Sequence, residues 1–527
     1  MDADVIVVGA GPTGLLLAVE LRRAGVEVLV LERHPRIREV AKAGGLSGQV
    51  LDLLELRGDL PRFEAASTAP RPPPNFPWGG MHVDLSRLPD PLMAALPLPQ
   101  PRLEAVLEGL ARELGAQVRR GHEVVDLRQD DAGVGVEVRG PTGTRRLRAA
   151  YVVGCDGASS RVRELIGVEF PGTTYPEVHR LASTTMPGSV RVVDGGDLEV
   201  DGVGRIRFGF TRTEHGEIAV GSADPGVLGV FTSEPDTGAY DDDQPMTVEE
   251  VRASVRRVLG VDLPMGEPLR LTRFTFHARR VERYREGRVL LAGDAAHLFP
   301  APGAALNVDL LDAVNLAWKL GAELAGWAPP GLLDSYDAER RLAASRTMLH
   351  TQAQVALRRG HDPAAQALRE LVGELLLDEQ PLRRIGSLMA GSDVRYPLPG
   401  HERHPLVGRF LPRLVPDEEP GACDDGGLRV GSRPVLLLLA DRPELHEGAR
   451  EAAREWRHRV DVRTLRVRDR PADALLVRPD AHVAWAAGLD EPVDAATGAL
   501  RESLAHWCGA PGRGARRSAT AQAERNG

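Results

Sequence analysis

Residues 4–33 read DVIVVGAGPTGLLLAVELRRAGVEVLVLER, and the fold class follows from this stretch. Val5 to Val8 are an apolar run of buried-strand size that ends on Gly9-x-Gly11-x-x-Gly14, with Pro12 and Thr13 inside the turn. LLLAVELRRAG then reads as a helix and VEVLVLER as a second strand, which makes a βαβ unit of a parallel sheet. Glycines at this spacing allow the tight turn, close approach of backbone to a diphosphate, and close packing of helix on strand. The helix N-terminus adds free N–H groups and the positive end of its dipole. Glu32 ends the second strand, 18 residues after Gly14, where a carboxylate can bind both hydroxyls of a ribose. A dinucleotide site is expected, and NAD and FAD both fit at this point.

A second motif separates them. Gly293-Asp294-Ala295-Ala296-His297 follows another apolar strand, RVLLA, far along the chain. A carboxylate returning to the same crevice from there can bind ribityl hydroxyls, which a flavin has and NAD lacks. A third stretch, Cys155-Asp156-Gly157-Ala158-Ser159-Ser160, ends a strand; its plain reading is a helix capped by Ser159 or Ser160. Gln100 and Arg102 stand before a helix expected to run to about Leu114.

Outward from these motifs, the 527-residue chain is long enough for two or three domains. The Pro-rich run 69–77 reads as an extended crossover, and 175–280 changes to alternating strand patterns such as LRLTRFTFHARR, the mark of an antiparallel sheet with one buried face. Within it Asp241 to Asp243 read as a solvated loop. A helix is expected from about Leu310 to Leu324, further helices to about Met389, and an α/β module from Leu398. The tail after Gly509 has little to bury.

Composition narrows the function classes. Net charge −9 leaves no basic surface for a nucleic acid, and no apolar run approaches the ~20 residues of a membrane span. The first strand begins too early for a signal sequence, so a cytoplasmic protein is expected. Cys155, Cys423 and Cys508 are too scattered for a disulfide framework or a metal cluster, and no metal site is expected. Lys42 and Lys319 are the only lysines against a large arginine excess, which with abundant Ala, Gly and Pro points to a GC-rich bacterial genome.

GAGPTG with Glu32-Arg33, CDGASSRVR, and AGDAAH followed by DAVNLAWKL resemble the class A flavoprotein aromatic hydroxylases, the p-hydroxybenzoate hydroxylase family. The likeness is closest to the bacterial branch that oxygenates aromatic polyketides and phenols and often ends in a thioredoxin-like domain. The resemblance implies an α/β fold: a Rossmann-like FAD domain (1–72, 97–175, 282–330), an inserted antiparallel-sheet substrate domain (73–96, 176–281), a helical connection (331–397), a thioredoxin-like domain (398–508) and a disordered tail (509–527). It implies FAD, with NADPH or NADH as transient reductant. O2 and an aromatic small molecule would be its other partners, and the chain would be a monomer or homodimer. The expected reaction is hydroxylation of a phenolic carbon or Baeyer–Villiger oxidation. No WxWxIP stretch supports a flavin-dependent halogenase.

Carried onto this chain, the resemblance makes Gly9, Gly11, Pro12, Thr13 and Gly14 the diphosphate loop, with Glu32 on the adenosine ribose and Arg33 flanking it. Lys42 stands where the family usually has an arginine near the diphosphate. Gln100 would touch the flavin side, Val124 the adenine through its backbone, and Gly293-Asp294 the ribityl-diphosphate region. Asp156-Gly157 would serve both FAD and NAD(P)H. The family's next loop reads close to PPxGGQGxNxGxxDAxN, beside the flavin pyrimidine edge; here Gly303-Ala304-Ala305-Leu306-Asn307 is one residue shorter and poorer in glycine. Asn307 and the helix N-terminus after it are expected to keep that contact. Ser47 and Gln49 replace a common His-x-Arg pattern. No catalytic side chain is identified: Arg205, Arg207, His215 and His277 lie in the substrate sheet but read as ordinary polar strand residues. The C-terminal module lacks CxxC and carries no flavin motif, so a chain ending near Met389 is expected to hold FAD if it stays soluble.

Overall fold

The structure is a computed structural model that describes residues 1–39, 43–222, 226–235, 245–301, 303–360, 362–400, 402–415, 428–467 and 469–511. Lys42, Cys423, the run Asp241 to Asp243 and the tail from residue 512 lie outside the described residues.

Strand Ala3–Val8 is the middle of an eight-stranded sheet, flanked in parallel by Val28–Glu32 and Gly143–Gly154. Val289–Leu291 joins parallel to Gly143–Gly154, and Gln117–Arg120 joins parallel to Val28–Glu32. The near-continuous Val, Ile and Leu of these strands suit a sheet covered on both faces. Helix Pro12–Arg23 packs against helices Gln100–Glu113 and Ala305–Leu324. All these parallel strands end on one edge, at Gly9, Glu32, Cys155 and Ala292, which is where an open α/β sheet leaves a ligand crevice.

The second sheet has six strands, all antiparallel, with Gly172–Thr185 between Val227–Pro235 and Pro268–Arg280. Alternation sorts its side chains. Ala182, Ile218 and Val230 pack on helix Val248–Leu259 through Val251 and Val255. His179, Leu181, Phe231, Phe274 and Phe276 take the opposite face. The turn Gly293–Ala295 follows the parallel strand Val289–Leu291 and leads into His297–Leu298, an edge strand of the antiparallel sheet. The GDAAH motif is therefore the seam between the two sheets. The Pro-rich run is less extended than its sequence suggests: Asn75–Trp78 pairs with Met81–Asp84 as a hairpin.

Three helices, Ser335–Arg358, Pro363–Leu375 and Glu379–Ala390, lead to the C-terminal module. Its sheet runs Asp461–Thr464, Val435–Leu438, Ala474–Val477, Val483–Ala487, with the first pair parallel and the others antiparallel, and helix Val493–Cys508 closes it. This βαβ-ββα order is thioredoxin-like. Burial pushes the Cys508 thiol up to about 12, so it has no thiolate to offer near neutral pH. Among the described residues no helix is long and apolar enough to cross a membrane.

Candidate functional site

A cavity of about 850 Å³ opens between the carboxyl edge of the parallel sheet and the inner face of the antiparallel one. Gly9, Gly11, Pro12 and Thr13 form one end of it. Gly9 has φ +106°, and a Cβ there would come within 2.3 Å of the Cys155 carbonyl oxygen. A Cβ on Gly14 would lie 2.1 Å from the Gly9 carbonyl oxygen, so this glycine serves helix-on-strand packing rather than the cavity wall. Gly11 differs: a Cβ there would meet no protein atom within 4 Å, and the space it faces is the cavity. Gly157 at φ +85° is open in the same way. Two open backbone positions beside a helix N-terminus fit a diphosphate-bearing cofactor.

Glu32 and Arg33 line the cavity. The Glu32 carboxylate already accepts from Ala10 N at 2.8 Å and His34 N at 2.8 Å, so it braces the glycine loop while retaining lone pairs for a ligand. Gln100 and Val124 also line it; Gln100 Nε2 donates to Glu104 at 2.8 Å, and its Oε1 accepts from Ala43 N at 3.3 Å. Asp156 both lines the cavity and builds structure, accepting from Ser160 Oγ at 2.5 Å and Val162 N at 3.0 Å. Ser160 in turn caps helix Arg161–Leu165 through Arg163 N. Burial raises the Asp156 carboxyl despite these donors.

Asp294 lines the opposite wall, behind Gly293 at φ +64°. The turn is held from beneath: Asp312 Oδ2 accepts from Gly293 N at 3.0 Å and contacts His297 Nε2 at 2.7 Å, while Oδ1 accepts from Arg340 Nε at 2.5 Å. Burial alone would raise Asp312, but Arg340 and His297 outweigh it and hold the carboxyl low.

Helix Ala305–Leu324 begins five residues before Leu310, so Ala305, Leu306 and Asn307 form its first turn. Gly303, Ala305 and Leu306 line the cavity, and Ala304 is the residue that enters the helix. Asn307 turns to strand Gly45–Ser47 instead: Oδ1 accepts from Ser47 N at 3.0 Å, and Nδ2 donates to Ser47 Oγ at 2.8 Å. The end of the shortened loop and the Ser47 that departs from the family pattern thus meet in one reciprocal pair.

Arg205 is exposed on Asp197, Arg207 and His215 are exposed, and His277 contacts Thr174 and Thr275; none lines the cavity. Leu181, Phe274 and Phe276 do line it, and were not singled out from sequence, although the alternation of LRLTRFTFHARR carried the signal. The His179 ring lies 4.0 Å from Phe276 and 5.2 Å from Phe274, centre to centre. Burial first, then Arg358 and Arg180, push His179 well below the ordinary histidine range, which keeps it neutral. Arg358 lies over Phe231 at 5.2 Å and Phe276 at 5.8 Å, and bonds Glu217 at 2.6 Å. His179, Glu217, Phe276 and Arg358 line a side chamber of about 290 Å³ that shares Phe276 with the main cavity.

Residues 2–351 match the FAD binding domain family, and residues 404–511 match the aromatic-ring hydroxylase C-terminal family. The chain is 40% identical over 521 residues to a 12-dehydrotetracycline 5-monooxygenase/anhydrotetracycline 6-monooxygenase of Streptomyces rimosus, covering 97% of this chain and 100% of that one. A dialkyldecalin synthase of Streptomyces rugosporus is 36% identical over 522 residues, covering 97% and 99%. The solved anhydrotetracycline hydroxylase from Streptomyces rimosus superposes with a TM-score of 0.82 at 38% identity, over 97% of this chain and all of that one. The chain belongs to the FAD-dependent aromatic-ring hydroxylases, a family of flavoprotein monooxygenases.

Proposed function

We propose that this monooxygenase uses NAD(P)H and O2 to oxygenate a polycyclic aromatic substrate of polyketide type, by ring hydroxylation or Baeyer–Villiger oxidation. The observation that carries the reading is the aromatic face of the second sheet, Phe274 and Phe276 with His179 behind, on the same cavity as the glycine loop and Asp294. Flat rings stack on such a face, and Arg358 supplies a cation that is itself held on phenyl rings. Bound FAD, once reduced by NAD(P)H, supplies the oxygen-activating chemistry. The residues suited to hold it are Gly9, Gly11, Pro12 and Thr13 at the diphosphate, Glu32 and Arg33 at the adenosine, Gln100 and Val124 along the cofactor, and Asp156, Gly157 and Asp294 opposite. The apolar wall of Leu181, Phe274 and Phe276 excludes water from the reacting face. We also propose the division into FAD, substrate, connecting and thioredoxin-like regions set out above, in a cytoplasmic monomer or homodimer, on the support of the separate sheets.

The test is NAD(P)H oxidation in the presence of anhydrotetracycline-like and other polyphenolic ligands, with product mass. Ligand-stimulated oxidation with a gain of one oxygen is the expected result; NAD(P)H consumption that yields only peroxide with every ligand would overturn it. Glu32→Ala is expected to weaken FAD binding by about 1–3 kcal/mol, the scale of lost charge-assisted hydrogen bonds. An unchanged FAD dissociation constant would remove Glu32 from the site.

A second reading is favoured by one feature, the loop entering helix Ala305–Leu324. The loop is one residue shorter than the family pattern and poorer in glycine, Ala304, Ala305 and Leu306 add side chains there, and Asn307 is committed to Ser47. On this reading the chain is an FAD-containing binding protein that holds or protects an aromatic intermediate without oxygenating it. The comparison that decides is the natural protein against a variant with the family-length GGQG loop. Turnover by the natural protein supports the monooxygenase; silence there with recovered flavin reduction in the variant supports the second reading.

A further inference from the structure

Asp309, in the second turn of helix Ala305–Leu324, lines the main cavity while only 6% exposed. Its Oδ1 is buried and has no hydrogen-bond partner. The nearest basic atom is Nδ1 of fully buried His297 at 3.5 Å, also without a hydrogen-bond partner. A Cβ on Gly293 would fall 2.9 Å from Thr13 Oγ1 and 3.4 Å from Asp309 Cβ, so Asp309 and the glycine-loop helix both pack against the GDAAH turn. Aligned on Asn307 and Asp312-Ala313-x-Asn315, it occupies the last glycine position of the family's loop pattern.

The charges around it disfavour ionisation. Asp294 faces it from the turn and Asp312 from its own helix, with Cys155 near by at the strand end. Arg340 from the helix behind acts in the opposite sense, but its guanidinium is bonded to Asp312 Oδ1, Tyr396 Oη and Val308 O. His297 Nε2 is turned to Asp312, and its Nδ1 makes no hydrogen bond to Asp309. Burial foremost, and then the two neighbouring carboxylates, push the Asp309 carboxyl well above the ordinary range.

We infer that Asp309 is a cofactor-binding acid: it stands in the cavity wall as a neutral carboxyl and donates its proton to an oxygen of the ribityl-diphosphate part of FAD, beside Asp294. The inference rests on FAD binding, which both proposed readings share. Proton loss would set another negative charge beside Asp294 and the diphosphate. Bound FAD therefore raises the pH at which this proton leaves. Affinity is full below the titration point of the free protein and falls above it, by up to about tenfold per pH unit for one proton.

The experiment uses the full chain stripped of FAD, as the natural protein, Asp309→Asn and Asp309→Gly. FAD dissociation constants are measured by flavin fluorescence between about pH 6 and about pH 9, below the flavin's own titration. Infrared difference spectra of the reconstituted proteins report any protonated carboxyl. The expected results are a protonated-carboxyl band that disappears in Asp309→Asn, neutral-pH affinity in Asp309→Asn within about threefold of natural, and a steeper loss of affinity with pH in the natural protein than in either variant. Absence of the band, or equal pH slopes in all three, overturns the inference. Asp309→Gly guards against a variant that fails to fold. NAD(P)H turnover is scored separately, so its absence with the pH signature intact counts against the proposed reaction alone.

Discussion

Ending the chain at Met389 is expected to leave no soluble protein that retains FAD, although no glycine-loop or GDAAH residue is removed. Helix Ala305–Leu324 turns one side to the cofactor cavity and another to the C-terminal module. Trp318 and Ala322 on it belong to the same apolar core as Val435, Leu475 and Trp507. Beside them Lys319 Nζ donates to Glu339 Oε2 at 2.9 Å, Arg478 grips both Glu339 oxygens at 2.7 Å, and Asn315 Nδ2 donates to Asp480 Oδ2 at 2.7 Å. Arg478 also pairs with Asp480. The cluster is buried, and burial pulls Lys319 down to about 8 even with Glu339 raising it. Truncation strips this cover, removes the Tyr396 partner of Arg340, and takes away the carbonyls of Val430, Gly431 and Pro479 that Arg57 holds. The point variant Arg478→Met in the full chain isolates the charge effect. It leaves Glu339 with Lys319 and Asp480 without its guanidinium partner, a loss on the order of 3–5 kcal/mol for a broken buried pair. Thermal unfolding and FAD release should both move to lower temperature. A yellow, soluble truncation that melts like the full chain would overturn the account.

That weld marks the limit of what local sequence carries. The glycine loop, Glu32 and the GDAAH turn were legible because each encodes a local backbone need: a positive φ at Gly9 and Gly293, a carboxylate at a strand end. Ser160 was legible as a cap for the same reason. The aromatic face of the second sheet was not, because His179, Phe231 and Phe274 become neighbours only through the register of three strands far apart in the chain. The Ser47–Asn307 pair spans 260 residues, and neither member alone points to the other. Arg478 and Asp480 lie at a strand ending, ADALLVRPD, and nothing local in that stretch shows that Glu339 and Lys319 come against them. Asp309 lies two residues beyond the altered loop, and its isolation from donors is a property of burial that the sequence does not carry.

The three glycines of the first motif should fail in different ways, and Gly11 gives the cleanest separation of cofactor binding from folding. Gly11 has φ −77° and ψ 179°, which any residue adopts, and its Cβ direction is empty of protein. Gly11→Val should therefore fold, with the apoprotein melting as the natural apoprotein does. Its methyl groups would fill the space over the helix N-terminus where a diphosphate must come within hydrogen-bond reach of backbone N–H groups. Overpacking and the lost charge-assisted bonds together should cost on the order of 2–4 kcal/mol of FAD affinity, roughly 30- to 1,000-fold. Gly14→Val should behave in the opposite order. Its Cβ would lie 2.1 Å from a backbone oxygen that cannot yield without displacing strand Ala3–Val8, so the apoprotein itself should be destabilised. Gly9→Ala combines a φ of +106° with a 2.3 Å clash on Cys155 and should resemble Gly14→Val. Apoprotein melting and FAD titration on the three variants read the two effects independently. If Gly11→Val bound FAD like the natural protein, the diphosphate would not lie over this helix, and the placement of the cofactor between Gly11 and Asp294 would have to be abandoned.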